Sequence, residues 1–417
     1  MFVLACIALG LCIVLTSQCV VVAAFLWKMH RNVRPLPSET RQAKAAVILA
    51  LRGPDPFLDV CLRSLLAQQY DNYTIFLVVD SDRDPVLRDI ERALGDAQAD
   101  DVVVSILQDP LHTCSLKCSA LIQAVRNLDA SYEVVAFLDG DAIPHSTWLL
   151  ELVAPLQDPN VGVTYGNRWY VPTTLGWGDW VRYCWNVGAV IQVWLNDIIW
   201  AGSMALRVDT IDRIGLLDAW SKALSVDATV HRQLRQHDYQ IRFIPSVIMV
   251  NREAISLPRF LAWVQRQMIA SKSCGSSWRL VGFHAINLAA TQLLALTVVL
   301  VGILTADSVA VVLAGAGLGL YWGSSLLSIL CTEWEMRRMI YVGGEVVRWP
   351  RRASLKLIPG MLLTQVVYPY ALSGALFRNR IQWRGIEYDV RGVGDVVMRD
   401  YHPYIDSAQA HVSESIV

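Results

Sequence analysis

Two carboxylates separated by one glycine stand directly after a short apolar run: Val134-Val135-Ala136-Phe137-Leu138 leads into Asp139-Gly140-Asp141. A glycine, lacking Cβ, lets the backbone of such a turn come close to a phosphate, and the flanking acids supply the hard oxygen ligands that Mn2+ or Mg2+ prefers. A divalent cation held there would neutralise charge building on a departing nucleoside diphosphate. The alternative is an ordinary acidic surface turn. Position argues for chemistry, because ligands of open α/β sheets gather at the carboxyl ends of the strands. Asp80 follows another apolar run, Phe76-Leu77-Val78-Val79, and falls on the same rim.

The elements that must position these acids alternate between two hydrophobic periods. Ala45–Leu51, Tyr73–Val79, Val102–Leu107 and Val134–Leu138 read as buried strands. Asp55–Gln69, Pro85–Leu94 and Lys117–Leu128 read as the amphipathic helices between them. Strand and helix in turn predict βα units on a parallel sheet.

Outside this pattern the chain is apolar. Hydrophobic residues make up 54% of 417 and charged residues 18%, a composition that points to bilayer segments beside a folded domain. Phe2–Trp27 carries no charge and is long enough to cross a bilayer, while Lys28, His30, Arg31 and Arg34 follow it. That order predicts a signal anchor with the next domain in the cytoplasm, a cleaved signal being the alternative. Leu257–Ile269 mixes Phe260, Trp263 and Met268 with Arg259 and Arg266, which suits a helix lying in the membrane interface. Two further spans are expected at Leu280–Leu304 and Ser308–Leu330. Leu355–Phe377, interrupted by Pro359, Gly360 and Pro369, reads as a broken or hairpin segment, because Arg378, Arg380 and Arg384 favour a cytoplasmic tail. The expected organisation is an anchor at 1–27, a linker at 28–44, a cytoplasmic catalytic domain at 45–255, an amphipathic helix at 256–275, membrane segments at 276–377 and a basic tail at 378–417, flexible from about Ser407.

The net charge of −1 and the isoelectric point near 6.7 provide no basic field, which speaks against a nucleic-acid partner. Nine cysteines without a framework suit reduced thiols. His112, Cys114 and Cys118 lack an evident fourth ligand for zinc.

Taken in order, Asp80 in LVVDSD, Asp139 and Asp141 in FLDGDAIP, Asp227 in ALSVDATVHRQLRQHDYQIRFIP and the WVQRQ run containing Trp263, Arg266 and Gln267 resemble the family 2 inverting glycosyltransferases. The membrane branch similar to ceramide glucosyltransferase fits best, over about Ala45–Met268. The resemblance implies an α/β, doubly wound nucleotide-sugar-binding (GT-A-like) domain with α-helical transmembrane segments. It assigns Asp80 to the nucleotide base, Lys117 to the donor, Asp139 and Asp141 to the metal, and Asp227 to the general base. Arg266, Gln267 and Trp263 would close the donor site, and Trp383 and Arg384 in QWRG would cover it. The implied reaction moves a hexose, glucose above all, from a UDP-sugar to a membrane lipid such as ceramide. Two departures stand out: Val226 replaces the acid that often precedes the base, and Ala201-Gly202-Ser203 replaces a paired glycine.

Each assignment has a plainer rival. Asp227 can be a helix N-terminal acid, Lys117 a solvated helix-end lysine, Arg266 an anchor to lipid headgroups, and Trp263 an interfacial tryptophan. Trp169, Trp185, Asn186 and Trp200 lie where acceptor specificity would be built, or else pack the core. A processive polysaccharide synthase and a catalytically silent nucleotide-sugar-binding membrane protein are the alternatives at the level of function.

Overall fold

The computed structural model describes residues 2–31, 42–95, 101–272, 276–342 and 346–404. A long helix, α1 (Phe2–Arg31), precedes an alternating run: β1 (Ala45–Leu51), α2 (Leu58–Leu66), β2 (Tyr73–Val79), α3 (Val86–Leu94), β3 (Val102–Ile106), α4 (Leu116–Arg126) and β4 (Val134–Leu138). The second half of the domain comprises α5 (Trp148–Val153), β5 (Val161–Tyr170), α6 (Trp177–Leu195), β6 (Ser203–Arg207), α7 (Val208–Arg213), α8 (Leu216–Trp220), α9 (Val226–Gln236) and β7 (Gln240–Asn251). Four helices follow, α10 (Leu257–Lys272), α11 (Ser276–Leu304), α12 (Ser308–Val342) and α13 (Ser354–Leu376). The strands β8 (Arg380–Trp383), β9 (Ile386–Gly392) and β10 (Asp395–Met398) come last.

Seven strands form one sheet in the order β3-β2-β1-β4-β6-β5-β7. The expected parallel sheet is corrected to a mixed one, since β6 runs antiparallel to both β4 and β5. Apolar side chains pack on both faces of the sheet, which is why β1 and β4 read as continuous hydrophobic runs without alternation. Helix α2 starts three residues later than expected, because the Asp55 carboxylate accepts the Phe57 N–H at 3.0 Å and holds the chain in a turn. Caps fix two helices of the site. Ser115 Oγ accepts the Cys118 N–H at 3.2 Å to start α4, and Ser225 Oγ accepts the Ala228 N–H at 3.3 Å to start α9.

Three expectations outside the sheet change. Helix α10 does not offer its apolar face to a bilayer: Phe260 and Val264 are fully buried, packed with Ala371, Leu372 and Ala375 of α13. Helix α13 is one continuous helix rather than a broken or hairpin segment, with Pro359 and Pro369 inside it. It lies along the domain, with Gly360 against Trp180 of α6 and Gly374 against Gln265 of α10, so neighbouring helices brace the backbone that proline leaves short of donors. The basic tail is a folded antiparallel sheet. Ile381, Ile386, Tyr388, Val390, Val396 and Met398 point into the core while Arg380 and Gln382 stay exposed, a period-2 pattern masked by the arginines.

Two helices among the described residues, Phe2–Arg31 and Ser308–Ile340, are long and apolar enough to cross a membrane. They pack through small residues: Ala8 and Leu11 meet Ala310, Ala314 and Leu318, and Gly317 sits against the Cys12 backbone. Helix α1 runs to Arg31, four residues into the expected linker. The rest of that linker up to Arg41, and the end from Ser407, lie outside the described residues.

Candidate active site at the carboxyl rim of the sheet

A cavity of about 1190 Å3 opens at the carboxyl ends of β1, β2 and β4 and continues between α6, α10, α11 and α13 to α1. Asp80, Lys117, Asp139, Asp141, Asp227, Trp263, Arg266 and Gln267 all line it, so the residues singled out in the sequence converge on one space. Among the other candidates, Trp185, Asn186 and Trp200 also line it, whereas Trp169 is fully buried against Tyr183 in the core.

The Asp139-Gly140-Asp141 turn is already charge-paired. Lys117 Nζ donates to Asp139 Oδ1 at 2.5 Å from the first turn of α4. Arg168 Nη2, reaching down from β5, donates to Asp139 Oδ2 at 3.1 Å and to Asp141 Oδ1 at 2.8 Å. Burial alone would raise both carboxyls. For Asp139 the two cations outweigh it and hold the group below the usual carboxylate range. Asp141 stays above that range, because burial and the neighbouring Asp139 and Asp55 charges outweigh Arg168. Gly202, from the Ala201-Gly202-Ser203 run, sits where a Cβ would collide with Asp139 Oδ2 and the Trp200 ring. The single glycine therefore suffices for the close approach, and Ala201 takes the other position.

Arg168 was not legible as a site residue. Its signal was one charged side chain inside the otherwise neutral strand segment from Val161 to Tyr170. Arg384 completes the cluster from the opposite side. The β8–β9 hairpin turns through Arg384 and Gly385, both at positive φ, the pairing a two-residue type I′ turn requires. Arg52 Nε donates to the Arg384 carbonyl at 2.9 Å, and Arg384 Nη2 donates to Asp55 at 3.2 Å, which fixes a conformation that non-glycine residues seldom adopt. Arg266 lies over the Trp383 ring, 5.4 Å from its centroid. Burial lowers its pKa to about 10, and its Nε is buried without an acceptor, as is that of Arg168. Trp263 packs edge-on against Tyr170 and Trp185 and stacks on Phe260.

Asp227 sits in the first turn of α9, half-buried. Ser225 Oγ and the Ala228 N–H, at 2.9 Å, both donate to Oδ1, and Oδ2 has no hydrogen bond among the described residues; the residue lines the cavity. The local contacts at the start of α9 thus fall on one of the two oxygens. Asp80 is nearly inaccessible: Arg52 pairs with it, Tyr401 Oη donates to Oδ1 at 3.2 Å, and the Tyr404 N–H donates to Oδ2 at 2.7 Å.

Among the described residues no group of three or more His, Cys, Asp or Glu could hold a metal ion. His112 is apart from any such role, and the thiols of Cys114 and Cys118 are buried, with the Cys114 pKa pushed up to about 11 by burial. A pair of carboxylates is nonetheless what Mn2+ or Mg2+ requires of a protein when a diphosphate and water supply the remaining oxygens. The two orphaned guanidinium N–H groups fit phosphate oxygens in the same space.

Residues 46–188, about a third of the chain, match the family model described as Glycosyl transferase family 2. No curated protein matches the chain. Among solved structures, a mannosyltransferase from Pyrobaculum calidifontis in complex with GDP-Man and Mn2+ aligns with 90% of this chain and 99% of its own, at 16% identity and a TM-score of 0.49. Glucosyl-3-phosphoglycerate synthase from Mycobacterium tuberculosis, in complex with phosphoglyceric acid, aligns with 58% of this chain and 84% of its own, at 12% identity and a TM-score of 0.37. Over residues 46–188 the chain is thus similar to the glycosyl transferase family 2 domain.

Proposed function

We propose that the protein transfers a hexose, glucose above all, from a UDP-sugar to the hydroxyl of a membrane lipid of the ceramide kind, with inversion at the anomeric carbon. The observation that carries this reading is the continuity of the cavity: one end holds the acid pair with its surrounding cations, and the other is walled by Val14, Val21 and Val22 of α1 and by Phe283 of α11. A lipid chain lying along those apolar walls would present its headgroup toward Asp227.

In this scheme Lys117, Arg168, Arg266 and Arg384 hold the diphosphate, with Asp80 at the base. Asp227 takes the proton of the acceptor hydroxyl through Oδ2, Oδ1 being held by Ser225 and the Ala228 N–H. The hydroxyl oxygen forms the new bond to the anomeric carbon as the bond to the diphosphate breaks, and the diphosphate leaves with the electron pair. General-base assistance of this kind is worth about 10²- to 10⁴-fold. Asp139 and Asp141 would hold Mn2+ or Mg2+, which when bound would supply Lewis-acid neutralisation of the leaving charge. The guanidinium groups and Lys117 share that work, and Trp263 and Gln267 close the donor site.

The same reading makes the protein a multi-pass membrane protein with its catalytic domain in the cytoplasm. The basic residues in the last turn of α1 favour that orientation, and the packing of β8–β10 on the domain keeps the tail on the same side as the active site. Incubating the purified protein with UDP-hexoses, Mn2+ and a total lipid extract should yield a new monohexosyl lipid by mass spectrometry. A long soluble polymer, or no glycolipid at all, contradicts the reading.

A further inference from the structure

Arg168 occupies the place between the two acids where a cation shared by both would sit. One nitrogen, Nη2, bridges Asp139 Oδ2 and Asp141 Oδ1 at 3.1 and 2.8 Å. The rest of the guanidinium is fixed as well: Nη1 donates to Tyr170 Oη at 3.3 Å, and Cζ lies 4.7 Å from the centre of the Trp200 ring. The side chain is 15% exposed. Because arginine does not lose its proton in proteins, this positive charge leaves the acids only by moving.

We propose that Arg168 is a resident counterion that admits a divalent cation only together with the diphosphate of the donor, so that metal and nucleotide binding are coupled through this side chain. The inference rests on the donor reading of the site. A divalent cation arriving alone must break two charge-assisted contacts and strand a buried guanidinium without an anion, an expensive arrangement. A cation arriving with a diphosphate supplies the guanidinium with a new partner as it takes the old one. The Arg168 Nε, buried without an acceptor, is a donor that a phosphate oxygen satisfies, and the Arg266 Nε in the same cavity is a second. Lys117, which contacts Asp139 Oδ1 at 2.5 Å, leaves positive charge beside the acid pair when Arg168 moves. Such coupling is reciprocal, so the nucleotide must tighten the metal by the factor by which the metal tightens the nucleotide.

The test is titration of Mn2+ into the full-length protein in detergent, followed by loss of the free-ion electron paramagnetic resonance signal, with and without UDP. The wild type should bind Mn2+ at least about tenfold more tightly with UDP than without. Arg168→Gln should bind Mn2+ alone at least about tenfold more tightly than the wild type, and UDP should then add little. Its thermal midpoint should rise with Mn2+ alone, which that of the wild type should not. An Arg168→Gln protein that binds Mn2+ alone no better than the wild type overturns the proposal. Should that variant give no cooperative melt, Arg168→Met decides: methionine removes the charge but keeps an unbranched side chain beside the Trp200 ring, so Mn2+ alone must bind more tightly than to the wild type, and equal affinity overturns the idea. Absence of Mn2+ binding by the wild type even with UDP would overturn the donor reading itself, and the proposal with it. Equal Mn2+ affinity with and without UDP in the wild type would overturn the coupling alone.

Discussion

The backbone N–H of Tyr404 donates to Asp80 Oδ2 at 2.7 Å although 324 residues separate the two. The contact belongs to a strap. Arg52 Nη2 donates to the His402 carbonyl at 3.0 Å, Ser81 Oγ donates to the Tyr404 carbonyl at 3.1 Å, and Tyr401 Oη donates to the other Asp80 oxygen. Burial and Asp80 push the Tyr401 phenol up to about 12, so it remains a donor at neutral pH. Both oxygens of the Asp80 carboxylate are engaged, and a nucleotide base that uses it competes with the strap. A chain ending at Asp400 should therefore bind UDP more tightly, by about tenfold, the worth of one hydrogen bond to a charged group. Isothermal titration checks this; weaker binding would mean that the strap builds the base pocket instead of competing for it.

Gly178 and Gly188, ten positions apart on α6, predict opposite outcomes. A Cβ on Gly178 would run into the backbone from Ile255 to Leu257, the segment that carries the chain from β7 into α10. Backbone cannot rotate aside as a side chain can. Gly178→Ala should lower stability by about 1–3 kcal/mol, the usual cost of overpacking. A Cβ on Gly188 meets nothing within 4 Å, and Gly188→Ala should stabilise by about 0.5–1 kcal/mol through helix propensity. Thermal unfolding of the two variants separates a packing role from general sensitivity of the helix.

His231, on the same helix as Asp227, gives a pH dependence with a definite sign. Burial, assisted by the Arg235 charge, holds its pKa below the ordinary 6.5. The unfolded chain consequently binds this proton more readily than the folded one, so stability is unaffected above about pH 7 and falls as pH drops through 6.5 toward the depressed folded value. His231→Gln should flatten that part of the stability profile. Denaturant midpoints at a series of pH values would show it, and an unchanged slope would remove His231 as the cause.

The strands that carry the site were legible because buried strands write themselves as short β-branched runs: Ala45–Leu51, Tyr73–Val79 and Val134–Leu138 keep the bounds read from the sequence. Their acids could be placed on one rim by topology alone. What could not be read were the partners of those acids. Arg168, Arg52 and Asp55 reach the site from β5 and from the loop after β1, and Arg384 comes from a hairpin more than 300 residues from Asp55; no local period records such contacts. The direction of β6 was likewise hidden, because a buried strand has the same apolar sequence whether parallel or antiparallel. Helix α10 misled for a related reason: an amphipathic pattern reports that one face is covered without saying whether lipid or protein covers it, and here α13 does.

Asp227 is the proposed general base, and one variant of it separates turnover from donor binding. Asp227→Asn preserves the shape of the side chain, while the Ser225 cap of α9 remains to hold the helix start. This variant should lose transfer of labelled hexose from UDP-hexose into the lipid fraction by about 10²- to 10⁴-fold while UDP affinity changes less than about threefold. Transfer at the wild-type rate by Asp227→Asn would contradict the assignment of the base, and with it the account of how the cavity joins donor to acceptor.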